Sequence, residues 1–333
     1  MSTLDRMNLL DVALRTDPDG KAATIIEVLS QSNPILQDAP AYPSNAQMGN
    51  RVTIRAALPT VGYRKINQGS VRSKSGARQK IDTIGFLDGR CEVDVRERKI
   101  LGEAGFNAQR IGENKAFIEA MSQKAAYTMI YGNELLYEAA FTGLQPRLET
   151  AATAITGSQV AKHHSSPSGS DYTSIYVVDW GEDFVHLIYP RDGGGAVVGL
   201  DVRDLGEQSV LDVDSNPFQA LVTVYEWMLG LTVKDPRRIG RIANIDVSQA
   251  LTDTSTLLKT TISGVLTGMP PKNGANRVLY CSRNIYQALE NQVESKANVM
   301  FGYEDYLGEK ILHVRGNPIR IVDQISEAES TIT

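Results

Sequence analysis

Cysteine and histidine are scarce in this sequence. Cys91 and Cys281 are the only cysteines in 333 residues. Both lie in apolar or strand-like stretches, so no disulfide framework is expected and a reducing compartment fits better. The four histidines (His163, His164, His186 and His313) form no spaced ligand set, and no CxxC occurs, so neither a structural zinc nor another metal site is expected. Long apolar runs are missing too: nothing approaches the ~20 residues of a membrane span. The opening stretch MSTLDRMNLLDVALRTDPDG carries Asp5 and Asp11 and no apolar core, so it does not read as a signal peptide. Nor is there an excess of positive charge. A net charge of −5 and a pI near 5.5 exclude a chain whose main task is coating DNA or RNA. The expectation is a soluble chain made in the cytosol.

What is present is ordinary in bulk: 42% hydrophobic and 22% charged residues, as in globular proteins, over a length that allows two domains or one large core with excursions. Leu4, Met7, Leu10 and Leu14 fall at helical spacing before TDPDG, and a second short helix is expected near residues 22–30. Residues 32–50, with Pro34, Pro40 and Pro43, read as an extended arm rather than a packed element. ENKAFIEAMSQKAAYTMIY (113–131) is the clearest helix. Phe117, Met121, Ala125 and Met129 recur at i, i+4, Ile118 and Thr128 widen the stripe, and the pattern runs on into GNELLYEAAFTGLQPRL. Residues 153–174 read as an irregular polar loop, and 175–246 as strands. Helix returns at 247–266 and at 281–297, the latter behind Ser282 as cap. KILHVRGNPIRIVDQI (310–325) closes with two strands around a Gly-Asn-Pro turn. The class is α+β, mixed rather than alternating, with no internal repeat.

One segment is unusual in both pattern and charge. In RVTIRAAL (51–58), Val52, Ile54, Ala56 and Leu58 alternate with Arg51 and Arg55; CEVDVRE (91–97) alternates likewise, and a Gly/Ser-rich span lies between. The simplest reading is one long hairpin with a loose tip and too little core to stand alone. Residues 51–80 hold eight basic residues (Arg51, Arg55, Arg64, Lys65, Arg72, Lys74, Arg78 and Lys80) and no acid, whereas 171–226 hold eleven acids and two arginines. Either the hairpin is a solvated strand face, or its charge docks on acidic surface of another copy and sets the register there.

No catalytic constellation is found. The glycines of RDGGGAVVGL (191–200) are spaced one residue too long for GxGxxG and lead into a strand pattern, so a turn is expected and no cofactor. DVDSNP (212–217) begins like a calcium loop, but Pro217 replaces the sharp-turn glycine and Thr223 the bidentate glutamate; a strand end with turn residues is expected. His163 and His164 are adjacent in a Ser-rich loop without a G-x-S-x-G elbow, and His186 reads as a satisfied structural histidine.

Several quoted stretches carry a likeness. LLDVALRTDPDGKAATIIEVLSQSNPILQDAPAYPSN with RVTIRAALPTVGYRKINQG, then FIEAMSQKAAYTMIYGNE with FTGLQPR, YEWMLGLTVKDPRRIGRIANIDVS and NPIRIVDQISEAES together resemble the major capsid proteins of tailed double-stranded DNA bacteriophages of the short-tailed type. The resemblance spans essentially the whole chain. It implies an HK97-like fold divided as an N-terminal arm (1–49), an extended-loop hairpin (50–90) and a peripheral domain (91–150) with a spine helix at about 112–132. A loop and strand-rich part of the axial domain (151–217), long peripheral strands (218–246) and axial helices with closing strands (247–333) follow. The strand block preceding the helical block suggests a permuted version of the common order.

The resemblance implies a non-enzymatic shell subunit of the virion, assembled in the bacterial host cytoplasm as pentamers and hexamers of itself. A separate scaffolding protein is expected, since no long charged helical segment precedes the arm, together with a portal protein at one vertex and a cement or decoration protein. Contact with packaged DNA is expected to be weak and non-specific, with no membrane contact. In this frame Arg237, Arg238 and Arg241, beside the Asp235-Pro236 turn between two strands, are expected to pair with carboxylates of neighbouring subunits. The alternatives are an encapsulin-like compartment shell and, more remotely, a hydrolase using His163 or His164 with a loop serine.

Overall fold

The computed structural model describes residues 33–149, 159–164, 170–191, 199–252, 257–294, 301–306 and 309–332. The helices expected near 3–15 and 22–30, and most of the glycine cluster at 191–200, lie outside them. The chain divides into two compact units, one of Ser32–Gly85, Ala126–Ala196 and Leu229–Thr333, the other of Met1–Gln31, Phe86–Ala125 and Val197–Met228.

The first unit is built on a strand that is buried along its whole length. β5 (Tyr172–Trp180) has all nine residues buried, because it lies between β9 (Ile239–Asp246) and β10 (Asn276–Cys281), antiparallel to both. β9 continues to β4 (Val160–Lys162) in parallel, and β10 to β13 (Asn317–Ile321) in parallel. β12 (Glu309–Val314) and β11 (Phe301–Tyr306) follow antiparallel. Three helices, α3 (Val247–Thr252), α4 (Leu257–Gly268) and α5 (Arg283–Glu294), bury Ala250, Ile262, Val265, Ile285 and Leu289 with Ile175, Val177, Ile242 and Leu279 in one core. A strand covered on both faces loses its alternation, which is why IYVVDW reads as a near-continuous apolar run.

Three readings change here. Residues 32–50 are not a free arm: α1 (Ile35–Asp38) buries Ile35 completely, and β1 (Ala41–Pro43) pairs in parallel with β6 (Val185–Tyr189). Pro34 stands at the helix N-cap, where a missing N–H costs nothing, and Pro43 ends a short strand. The polar stretch 153–174 contains β4 and the start of β5. Ser282 stands just before α5, but its Oγ is buried without a partner among the described residues, so it does not cap the helix.

The second unit packs the hairpin of β7 (Leu200–Leu211) and β8 (Pro217–Val233, to Met228 in this unit) with residues 86–94 of β3 (Gly76–Asp94) and 97–125 of the spine helix α2 (Glu97–Tyr131). The turn between β7 and β8 is the calcium-like stretch: Asp212 Oδ1 accepts from the backbone N–H of Asp214 and Asn216, at 2.9 and 2.8 Å. It is a turn, as expected. Cys91, Val93, Phe106, Met121, Leu221 and Tyr225 form the core, with Phe117 stacked on Tyr225 at 5.1 Å. The expected stripe is observed, except that Ile118 is 43% exposed. α2 begins well before residue 112, with a break at Gly102 (φ 70°); EAGFNAQRIG shows no regular apolar stripe, so periodicity missed it.

α2 also stops earlier than the pattern suggested, at Tyr131. Gly132 and Gly143 explain this. A Cβ on Gly132 would meet the Phe141 and Thr128 carbonyl oxygens at 2.4 and 2.5 Å, and one on Gly143 the Thr128 and Ile130 carbonyls at 2.6 and 2.8 Å. Residues 141–144 thus turn back onto the helix end. There the N–H of Leu144 reaches the Met129 carbonyl at 2.9 Å and that of Gly143 the Gly132 carbonyl at 2.7 Å, satisfying acceptors a helix end otherwise leaves open.

Candidate assembly surface

The extended hairpin is formed by β2 (Gly49–Ala57) and β3, in register from Gly49↔Thr83 out to Ala57↔Gly76. Its alternation is as the sequence suggested, but its apolar face is covered only at the base. Val52 is buried and Ile54 half-buried, while Ala56 and Leu58 are exposed. Beyond the paired strands, residues 58–75 project with Leu58, Val61, Tyr63, Ile66 and Val71 at 76–110% exposure. The tip keeps its own geometry: the Gln68 N–H reaches the Lys65 carbonyl at 3.2 Å, Asn67 takes φ 67°, and Ser73 Oγ donates to the Thr60 carbonyl at 2.7 Å. These bonds shape the loop, while its large apolar side chains stay exposed.

The base is clamped hard. Asp82, opposite Asn50, is 3% exposed. It accepts from Arg147 Nη1 at 2.8 Å, Thr232 Oγ1 at 2.9 Å and the Val233 N–H at 3.1 Å, with Lys80 Nζ at 3.3 Å. Burial opposes its ionisation, but the charges of Arg147 and Lys80 outweigh that and hold the carboxyl below the usual range. Arg147 also donates to the carbonyls of Thr142, Gly143 and Leu231, so β2, β3, β8 and the segment after α2 meet at one ion pair. The hairpin is thus held firmly at its base, while the apolar side chains of its tip stay exposed.

Of the charged residues singled out in the sequence, Arg51, Arg55, Arg64, Lys65, Arg72, Lys74 and Arg78 are exposed and have no ion-pair partner among the described residues. Lys80 is the exception, turned onto Asp82. At the turn between β8 and β9 the expectation fails for two of three. Arg241 is 1% exposed and donates to Glu329 Oε2 at 2.8 Å, to Ser174 Oγ at 3.0 Å and to the Leu148 carbonyl at 3.3 Å. Arg238 is 5% exposed and reaches Asp179 at 3.0 Å, a carboxylate it shares with Arg277. Their carboxylate partners belong to the same chain, not to neighbouring subunits. The sequence showed charge beside a turn, but not that β9, which carries Arg241, is buried on both faces. Arg237 is exposed and folds back on Asp235 at 2.9 Å.

Sequence reasoning also missed Glu329, which closes the framework from the far end of the chain. It accepts from Tyr131 Oη at 2.5 Å, Tyr176 Oη at 3.1 Å, Arg241 and Ser174, and its N–H donates to the Tyr172 carbonyl at 2.8 Å. The Ser174 hydroxyl passes the contact on, accepting from Arg241 while donating to Glu329. Burial and the facing carboxylate push both tyrosine hydroxyls up, keeping them protonated donors.

The histidines lead elsewhere. His186 is 2% exposed with Nδ1 unpartnered among the described residues, against the expectation of a satisfied histidine; Tyr42 meets its ring edge-on at 5.1 Å. Burial, then the Lys234 charge, pushes its pKa down to about 4. His163 and His164 lie edge to face at 4.6 Å, with His164 Nδ1 3.2 Å from the Asn244 carbonyl; the serines at 165–168 are outside the described residues. Among the described residues no three His, Cys, Asp or Glu converge on a metal-sized site, and no helix is long and apolar enough to cross a membrane.

A long exposed hairpin, a spine helix and a sheet-centred unit define the HK97-like class of phage capsid folds. The match extends to sequence: the profile of the major capsid protein GP7 family covers residues 17–333, and the chain belongs to that family. It is a phage capsid protein, a component of the virion shell formed from copies of itself. It is similar to a chain in the cryo-EM structure of bacteriophage epsilon15, at 31% identity and TM-score 0.78, with 98% of each chain covered. The bacteriophage JBD30 capsid shares the fold at TM-score 0.51 and 12% identity, over 96% of this chain and 98% of that one. An encapsulin from Synechococcus elongatus PCC 7942 aligns at TM-score 0.43 and 12% identity over 74% of this chain and 98% of that one, too distant to argue for a cargo compartment. No curated protein sequence matches.

Proposed function

We propose that copies of this chain close into an icosahedral head around double-stranded DNA, as pentamers and hexamers in which each hairpin tip lies across an adjoining copy. The observation that carries this is the tip itself: five large apolar side chains at 76–110% exposure beside basic residues with no ion-pair partner among the described residues. Burying a Val, Leu or Ile side chain contributes ~1.5–3 kcal/mol, so one tip offers on the order of 10 kcal/mol gross, before the costs of association and ordering. Repetition around a closed shell turns such modest contacts into a stable particle. The charge of the tip sets register rather than strength, because like-charged placements are penalised. A separate scaffolding protein guides assembly, a portal occupies one vertex, and a decoration protein binds outside; DNA contact is weak and non-specific. The chain is a building block and not an enzyme.

Co-expression with the scaffolding protein followed by electron microscopy tests this. Closed shells, or pentamers and hexamers, are expected; a strictly monomeric protein under all conditions refutes it.

A further inference from the structure

The tip has a counterpart on the same unit of the chain. Directly after α2, Asn133 organises a turn: its Oδ1 accepts from the Leu135 N–H at 3.0 Å and its carbonyl from those of Leu136 and Tyr137, at 3.1 and 3.0 Å. The Tyr137 carbonyl then accepts from Ala140 at 2.9 Å. This ordered knob holds Leu135, Leu136 and Tyr137 outward at 89, 76 and 75% exposure, and the next residue, Glu138, is exposed. An apolar triplet beside a carboxylate with no ion-pair partner among the described residues complements the tip, where Val61, Tyr63 and Ile66 stand beside Arg64 and Lys65.

The two patches cannot meet within one chain. Thr83, paired with Gly49 at the hairpin base, donates its hydroxyl to Glu134, so the knob adjoins the base. From there β2 and β3 stay paired out to Ala57↔Gly76, a run of about 27 Å at ~3.4 Å per residue, before the tip begins. A ribbon paired along that length does not double back. Complementary patches at opposite ends of one element produce a head-to-tail contact, which propagates and closes rather than stopping at a twofold dimer.

We infer that the 135–137 knob of one copy is the seat for the hairpin tip of the next. The triplet covers the apolar side chains of the tip, and Glu138 faces Arg64 and Lys65. The inference rests on the shell reading and sharpens it by naming where the tip lands.

Disulfide trapping in assembled shells tests it. The native cysteines are buried, so a Tyr63→Cys/Leu136→Cys chain carries the only accessible thiols among the described residues. Mild oxidation of its shells is expected to give a ladder of covalent multimers, absent from either single variant. Shells without the ladder overturn the knob as the seat while leaving the shell reading intact. Where the double variant does not assemble, Leu136→Lys decides: the expected result is at least a tenfold loss of shells with unchanged monomer unfolding, restored in part by Lys65→Glu. Undiminished shells from Leu136→Lys overturn the inference. Wild-type protein that never forms shells instead refutes the reading beneath it.

Discussion

Replacing Glu329 by alanine asks whether the arginines at the β8–β9 turn are framework or interface. In the structure Arg241 is 1% exposed, and Glu329 is its only carboxylate among the described residues, at 2.8 Å. Truncating one member of a buried ion pair strands the other charge, which costs about 3–5 kcal/mol. The hydroxyls of Tyr131, Tyr176 and Ser174 lose an acceptor as well, placing the loss at the upper end of that range. With an m-value near ~3 kcal/mol per molar urea for a unit of this size, the unfolding midpoint falls by on the order of 1 M. Urea unfolding of unassembled protein, followed by Trp180 fluorescence within the same unit, reads this directly. Arg241→Met combined with Glu329→Leu recovers part of the loss, because no buried charge remains unpaired. The reasoning is refuted if Glu329→Ala leaves the midpoint within ~0.2 M of wild type while abolishing shells, for the pair would then act between subunits.

Further outcomes follow from other parts of the molecule. Asp82→Ala strands Arg147, whose side chain is 7% exposed, and is expected to cost about 3 kcal/mol or more and to speed amide exchange at the hairpin base, read by hydrogen–deuterium exchange. Arg72→Glu with Lys74→Glu and Arg78→Glu leaves monomer unfolding unchanged and impairs shell formation; normal assembly with unchanged salt dependence discards the electrostatic part of tip docking. Gly143→Ala drives a Cβ to within 2.6 Å of the Thr128 carbonyl and is expected to destabilise by roughly 1–3 kcal/mol, measured by thermal unfolding. His186 has a folded pKa near 4 against 6.5 ordinarily, so the unfolded chain binds its proton first as pH falls. The stability held by neutral His186 is complete above pH 6.5 and is lost progressively toward pH 4, by up to about 3 kcal/mol. His186→Leu flattens stability over that window, and an unchanged pH profile in that variant contradicts the assignment.

Much of the surface that matters was legible before any coordinates. Alternation in 51–58 and 91–97 revealed the hairpin, and the basic run without acids picked out its tip, because an exposed ribbon has little tertiary context to override local pattern. The buried framework was harder. Strand β10 went unread because NRVLYC is too short for periodicity to separate it from the helix that follows. Arg238 and Arg241 looked exposed because charge beside a proline turn usually is; only the sheet brings Asp179 and Glu329 to them, from sequence separations of 59 and 88 residues. The clamp at Asp82 is equally silent in sequence, since Arg147 lies 65 residues away. The reading of 32–50 as unpacked chain needed a different correction: its prolines signal extended chain, but an extended chain can still be a paired edge strand.

A cryo-EM reconstruction of the assembled particle, resolved well enough to trace side chains at residues 58–75, weighs most directly on the account. It is expected to show Val61, Tyr63 and Ile66 enclosed by an adjoining copy, with Arg64 and Lys65 facing its carboxylates. A closed shell in which those side chains lie in solvent, or fold back onto their own chain, contradicts it.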